Sequence, residues 1–347
     1  MAPALPANGS ATLRLGLVTP VLDDWDSLAI LLRELDHRLA PVVASLHVFI
    51  VDDGSRLPFD PTTLSIAPHG AIHSVHVIRL AANLGHQRAI AIGLIEAARQ
   101  ADLDAAPDLD AVIVMDSDGE DRPEDIAQLV TMAARHPGQI IMARRAKRSE
   151  SLQFRLGYRI YKSVFHLATG RVIDFGNFSL LPIAAARRLT YMPEIWNNLA
   201  ACIMRSRIPF QAIATDRGHR YAGQSRMNMA GLITHGLSAM SVYTDVIFVR
   251  MLAAAAGLAG LSVAGIAIVT AIRLFTDLAT PGWATNVVGN LLVVLLQIVV
   301  IVVAAALMLL AGRSNRQIVP AIDAASYIAQ ITRIALPARV ALPDRHC

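Results

Sequence analysis

The chain has 347 residues, enough for one large or two modest domains with a real core, and 54% of them are hydrophobic. With a mean hydropathy of +0.47, that share excludes a purely water-soluble protein. The formal net charge of +4 suits an anionic membrane face or phosphorylated substrates, and the lack of any known nucleic-acid-binding motif argues against nucleic acid.

Residues 1–12 are expected as a disordered leader, and Met1–Ser10 lacks the basic start and apolar core of a secretory signal. Residues 13–18 form a first apolar run that ends at Thr19-Pro20. Residues 25–39 follow with helical spacing of Leu28, Leu31, Leu32, Leu35 and Leu39. A second run, 46–51, stops at Asp52-Asp53-Gly54-Ser55; 74–80 reads as a strand and 87–99 as a helix. The short, β-branched run 111–115 reads as an interior strand, followed by a helix opened by Pro123 and Glu124, then a strand at 140–143. Strands alternating with helices predict a doubly wound α/β catalytic domain over 13–228.

Within 154–167, Arg155, Arg159, Lys162 and His166 make a basic stripe beside Phe154, Tyr158, Tyr161 and Phe165. Such a helix suits an anionic interface, or equally an ordinary amphipathic helix packed on the sheet. Residues 229–249 are expected as a second interfacial helix. Beyond them, 251–272 carry no charge, and 287–311 carry only Asn290 and Gln297 as strongly polar groups. Each stretch exceeds the ~20 residues that span a bilayer core, so 250–312 is expected as a transmembrane hairpin. Arg250 precedes it, and Arg313 and Arg316 follow it, while Arg273 is the one basic residue in the turn. The positive-inside rule then puts the catalytic domain and a tail, 313–347, in the cytoplasm. Cys202 and Cys347 offer neither ligand spacing nor a disulfide framework.

The most informative chemistry is Asp116-Ser117-Asp118 at the carboxyl end of the 111–115 strand, where open α/β sheets hold their ligands. Side chains alternate along an extended chain, so both carboxylates can point the same way. Two converging negative charges need a cation, and a hard divalent ion on a nucleotide pyrophosphate meets that need. Neither a P-loop nor a dinucleotide fingerprint competes.

These residues resemble the inverting, GT-A-fold family 2 glycosyltransferases, in the polyprenyl-phosphate branch that includes dolichol-phosphate mannose synthase and bacterial undecaprenyl-phosphate sugar transferases. The similar stretches are Val18-Thr-Pro-Val-Leu-Asp-Asp24, Val51-Asp-Asp-Gly-Ser55, Asn83-Leu-Gly-His-Gln87 with Ala89 and Gly93, and Met115 through Glu124. Arg145, Arg148, Glu150 and Ser151 follow, then Arg220-Tyr-Ala-Gly-Gln-Ser-Arg226. The resemblance implies that Pro20, Asp24, Asp53 and Asn83 hold the nucleotide. Asp116, Asp118 and Asp121 form the catalytic acidic group, with Mg²⁺ or Mn²⁺ on Asp118 and Glu120. Arg145, Arg155, Arg220 and Arg226 would clamp the lipid phosphate. The implied partners are a nucleotide-sugar donor, polyprenyl phosphate and membrane lipids, in a bacterial inner membrane, with homo-oligomerisation left open.

Three departures matter. Leu22 replaces a tyrosine, Glu120 replaces a glutamine, and Asn177 with Ser179 stand where many relatives have Asp and Arg. Two alternatives remain at this point: a processive polysaccharide synthase, and a membrane-anchored binder of nucleotide-sugar or lipid without activity. The first is disfavoured by the absence of a Q-x-x-R-W motif and by having only two spans to build a channel.

Overall fold

The computed structural model describes residues 13–63, 70–101, 109–145, 152–222, 229–278, 280–314, 318–334 and 336. The expected leader lies outside the described residues. The chain divides into two compact units, one comprising Met1–Arg159, Val172–Val242 and Ile318–Cys347, the other Ile160–Arg171 and Tyr243–Gln317.

The first unit rests on strands with no polar alternation, because both of their faces are covered. β1 (Arg14–Val21) is buried at every position but its first, and β2 (Ser45–Asp52) throughout. They pair in parallel with each other, β2 with β3 (Ile72–Leu80), and β1 with β4 (Ala111–Val114). On one face, helix α1 (Trp25–Leu39) turns the five leucines read from the sequence inward, beside Ile126, Leu129 and Val130 of α3 (Asp125–Arg135). Burying each such leucine is worth about 1.5–3 kcal/mol against leaving it exposed. On the other face lie α2 (His86–Gln100), α5 (Ile183–Thr190) and α6 (Leu199–Ser206). Gly93 lets α2 approach closely: a Cβ there would collide with Val18 and lie 2.8 Å from Val51.

The full sheet adds β5 (Ile140–Arg145), β6 (Ser179–Pro182), β7 (Phe210–Thr215) and β8 (Ile328–Ile334), in the order β7-β5-β6-β4-β1-β2-β3-β8. β6 runs antiparallel to β4 and β5, and β8 antiparallel to β3. β6 and β8 are thus reversed against the other six strands, which leaves a mostly parallel sheet of the Rossmann-like GT-A kind. The order sets the carboxyl ends of β4, β1 and β2 side by side, which positions the three acidic loops together.

Part of the stretch expected as a tail, 313–347, forms a strand. Ile328–Ile334 is strand β8, covering the edge of β3 that would otherwise be bare. Its five central residues are exposed, so it is held by ladder hydrogen bonds rather than by an apolar face, and it carries little hydrophobic signal.

In the second unit, α8 (Thr244–Phe275) and α9 (Trp283–Ser314) pair side by side; a Cβ on Gly265 would come 3.1 Å from Leu291. Each has 32 residues, about 48 Å at 1.5 Å per residue, against a hydrocarbon core of about 30 Å. Their apolar outer surfaces are largely exposed, and both are long and apolar enough to cross a membrane. The predicted spans fall inside them. The segment expected as one interfacial helix is instead interrupted: α7 (Met229–Ser241) ends before α8 begins. α4 (Leu152–Thr169) has its latter half in this unit, where Phe165 is buried edge-on against Tyr243. Arg250 donates to the carbonyl of Leu167 at 2.7 Å, satisfying the helix end that Gly170 terminates.

Candidate active site

Three loops leave adjacent strand ends. After β1, Asp23 sits at φ +49° and accepts from Arg56 N–H at 2.8 Å, while its own N–H donates to Ser55 Oγ at 2.9 Å. After β2, Asp52 accepts from Ser55 N–H at 2.8 Å. These bonds tie the β1 and β2 loops into one wall.

Asp53 is buried, and its carboxylate accepts from Leu84 N–H at 2.7 Å and Gly85 N–H at 3.0 Å. Its described bonds organise the turn that carries exposed Asn83 into α2, rather than reaching outward. Burial raises its pKa and the two backbone bonds oppose that, with burial prevailing. Pro20 is likewise buried inside β1, opposite Val51, and shapes the floor of the crevice.

After β4, the acidic loop is strongly organised. Asp116 N–H donates to the buried carboxylate of Asp121 at 3.1 Å. Asp116 Oδ1 lies 3.3 Å from His86 Nε2, at the first residue of α2. Desolvation opposes charging that ring, but Asp116, with Asp121 and Asp53 behind it, outweighs this and lifts the His86 pKa above its ordinary value. Asp118 Oδ1 accepts from Glu120 N–H at 3.0 Å, and Oδ2 accepts from Arg220 Nη1 at 3.1 Å. Burial raises the Asp118 pKa first, and nearby Asp116 adds to it. The two aspartates thus share one electrostatic environment while engaging different cations.

Arg220 also donates through Nη2 to Asp24 Oδ2 at 2.5 Å, joining the β1 loop to the acidic loop. Glu120 is paired with Arg217 at 2.5 Å. Among the described residues no group of three or more His, Cys, Asp or Glu forms a ready-made metal cage. Asp118 and Glu120 nevertheless supply the hard oxygens that Mg²⁺ or Mn²⁺ prefers, and such ions commonly complete their shells with phosphate oxygens and water. The donor set fits a cation that arrives with a diphosphate.

Arg226 lies outside the described residues, as do Arg148, Glu150 and Ser151 of the same sequence pattern and the side chains of Arg145 and Arg155. Of the four arginines expected at a lipid phosphate, Arg220 is thus placed, and it touches Asp24 and Asp118. Sequence reasoning gave no role to His86, Gln87 or Arg217. Gln87 accepts from Leu199 N–H at 2.9 Å and donates to Asn177 at 3.2 Å, and Asn177 stands 3.1 Å from His86. His86 and Gln87 belong to the Asn83–Gln87 motif, so the signal was present. Arg217 had none beyond being three residues from Arg220.

The family model "Glycosyl transferase family 2" matches residues 17–212, more than half of the chain, and takes in the three acidic loops but not Arg217 or Arg220. An uncharacterised glycosyltransferase of Synechocystis sp. is 23% identical over 293 residues, covering 81% of this chain and 86% of that protein. Undecaprenyl-phosphate 4-deoxy-4-formamido-L-arabinose transferases of Erwinia tasmaniensis and Pseudomonas aeruginosa are 27% and 26% identical. These matches cover 47% of both chains in the first case and 62% of both in the second, so the chain aligns with only about half to three-fifths of those proteins. Among solved structures, glucosyl-3-phosphoglycerate synthase from Mycobacterium tuberculosis, in complex with Mn²⁺, UDP and phosphoglyceric acid, is similar at a TM-score of 0.44. It is 14% identical, over 68% of this chain and 78% of that one. The matched span, from the strand that begins the crevice to the sheet's far edge, makes this chain a member of glycosyl transferase family 2 and a glycosyltransferase.

Proposed function

We propose that the chain moves one sugar from a nucleotide-diphosphate donor to polyprenyl phosphate, with inversion, at the cytoplasmic face of a bacterial inner membrane. The observation that carries this reading is the convergence of Asp24, Asp53 and the 116–121 loop at adjacent strand ends, with Arg220 bridging two of the loops. The names of the Erwinia and Pseudomonas relatives supply the acceptor class, and the paired apolar helices suit a lipid substrate.

In this reading the β1 and β2 loops wall the base and ribose, and Asp118 with Glu120 would hold Mg²⁺ or Mn²⁺. When bound, the ion neutralises the departing nucleoside diphosphate. An oxygen of the acceptor phosphate attacks C1 of the sugar as the C1–O bond to the donor diphosphate breaks on the opposite side. The acceptor is already an anion at neutral pH, so the step needs no carboxylate base, which accords with Asn177 where many relatives carry Asp. Arginine forks orient the acceptor phosphate, for which their planar geometry is suited.

The test is turnover of the purified chain in detergent with undecaprenyl phosphate and a panel of UDP- and GDP-sugars. One sugar per lipid is expected, whereas a ladder of products would favour a processive synthase. Asp118→Asn should lower turnover by at least ~100-fold, the scale of losing a transition-state charge partner, while the variant still extracts with membranes. Full activity in that variant would remove the metal reading.

A further inference from the structure

The segment carrying Arg217 and Arg220 is fastened along the acidic loop. Gly218 N–H donates to Glu120 O and Tyr221 N–H to Asp118 O, each at 2.9 Å. The two backbones meet at glycines: a Cβ on Gly218 would collide with Gly119 O, and one on Gly119 would lie 2.6 Å from the Tyr221 ring. This register delivers the two guanidiniums, three residues apart, to the two carboxylates that would hold the metal. Arg217 takes Glu120, and Arg220 takes Asp118 and, from its other terminal nitrogen, Asp24.

Both oxygens of Asp118 are engaged, one by Glu120 N–H inside its own loop and one by Arg220. Asp118 Oδ2 has a second lone pair, but a divalent ion bound there would sit close to the guanidinium that donates to the same oxygen at 3.1 Å. The like charges also repel at that range in a half-buried site. Each of the two carboxylates read as metal ligands is thus paired with one of these arginines.

We propose that Arg217 and Arg220 form an internal counter-ion pair that holds the metal carboxylates in the free enzyme and is exchanged for the metal when the donor binds, which frees both guanidiniums for phosphate. This rests on the metal-dependent reading above and adds Arg217 as a phosphate-contacting residue. The exchange makes metal binding weak alone and strong with nucleotide, because the two displaced cations find new anions only when a diphosphate arrives.

The test measures binding rather than turnover. Mn²⁺ affinity of the full chain in detergent is followed by electron paramagnetic resonance, with Mn²⁺ alone and with Mn²⁺ plus UDP or GDP. The double variant Arg217→Gln/Arg220→Gln should bind Mn²⁺ alone about 10-fold tighter than wild type and Mn²⁺ with nucleotide more weakly. That opposition of sign separates exchange from a merely structural role, which would weaken both. The single variants Arg217→Gln and Arg220→Gln, each expected to tighten Mn²⁺ binding about 3-fold, decide the matter should the double variant misfold. Unchanged or weaker binding of Mn²⁺ alone in all three overturns the proposal. Asp118→Asn is the control: if it binds Mn²⁺ with nucleotide as wild type does, the metal reading itself fails and takes this one with it. If it loses binding while the arginine variants fail to tighten, the exchange alone is wrong.

Discussion

Gly119 shows how narrowly the acidic loop is specified. Its φ of +87° lies where side chains are strained, and the Tyr221 ring fills the place a Cβ would take. Gly119→Ala should therefore cost about 1–3 kcal/mol of stability through strain and overpacking, read as a lowered Tm of the detergent-solubilised chain. Adding Tyr221→Ala should recover the overpacking share but not the strain, so a double variant as stable as wild type would refute the backbone argument. Residue identity was legible here because aspartates and glycines announce themselves; partnership was not. Asp53 is expected at the nucleotide, and its described partners are the backbone N–H groups of Leu84 and Gly85. Arg220 is expected at a phosphate, and its described partners are Asp24 and Asp118. Spacing along the chain says which groups reach a crevice, not which neighbour is nearer once they are there.

The strands β1, β2 and β4 and the helices α1 and α2 followed from sequence because burial writes itself as uninterrupted apolar runs or a 3.6-residue stripe. β6 and β7 did not, being four and six residues long, the latter only partly buried. β8 was hidden for a different reason: its partner is a backbone edge. That edge bears a polar patch in which His76 of β3 is opposite Arg333 of β8 in register. His76 also stacks on Phe49 and touches Ser74 at 3.2 Å, and Ser74 contacts His47, which lies near His73. Burial first, and Arg333 second, hold the His76 pKa below 6.5. A group whose folded pKa is depressed makes the unfolded state take up more protons as pH falls, so its contribution is whole above about 6.5 and is lost below that value. Protection of the β8 amides, corrected for the base-catalysed intrinsic exchange rate, should thus be lower at pH 5.5 than at pH 7.5, with the difference shrinking in His76→Gln. A whole-molecule melt would blur this, because buried Asp53, Asp118 and Glu96 have raised values and are relieved on acidification.

At the scale of the molecule, the two halves of the sequence are written in different codes: a sheet-forming code to about residue 215, then a membrane-length code. The orientation expected from Arg250, Arg313 and Arg316 has a direct check. In a Cys347→Ser background, Asp277→Cys should react with an impermeant maleimide added to intact cells, whereas Asp26→Cys should react only after lysis. Native Cys202 will not interfere, since it is buried and burial pushes its thiol up, leaving it unreactive. Equal labelling of both positions in intact cells would exclude the proposed topology. The strand supplied from beyond the hairpin has a consequence for biogenesis. A ribosome releases β3 long before β8, with both apolar helices in between, so the outer border of the sheet stays uncapped until the hairpin has been synthesised. Completion of the sheet is thereby coupled to handling of the two apolar helices. A chain stalled before its last strand would display an open ladder to chaperones and proteases, giving quality control a means of telling finished from unfinished enzyme.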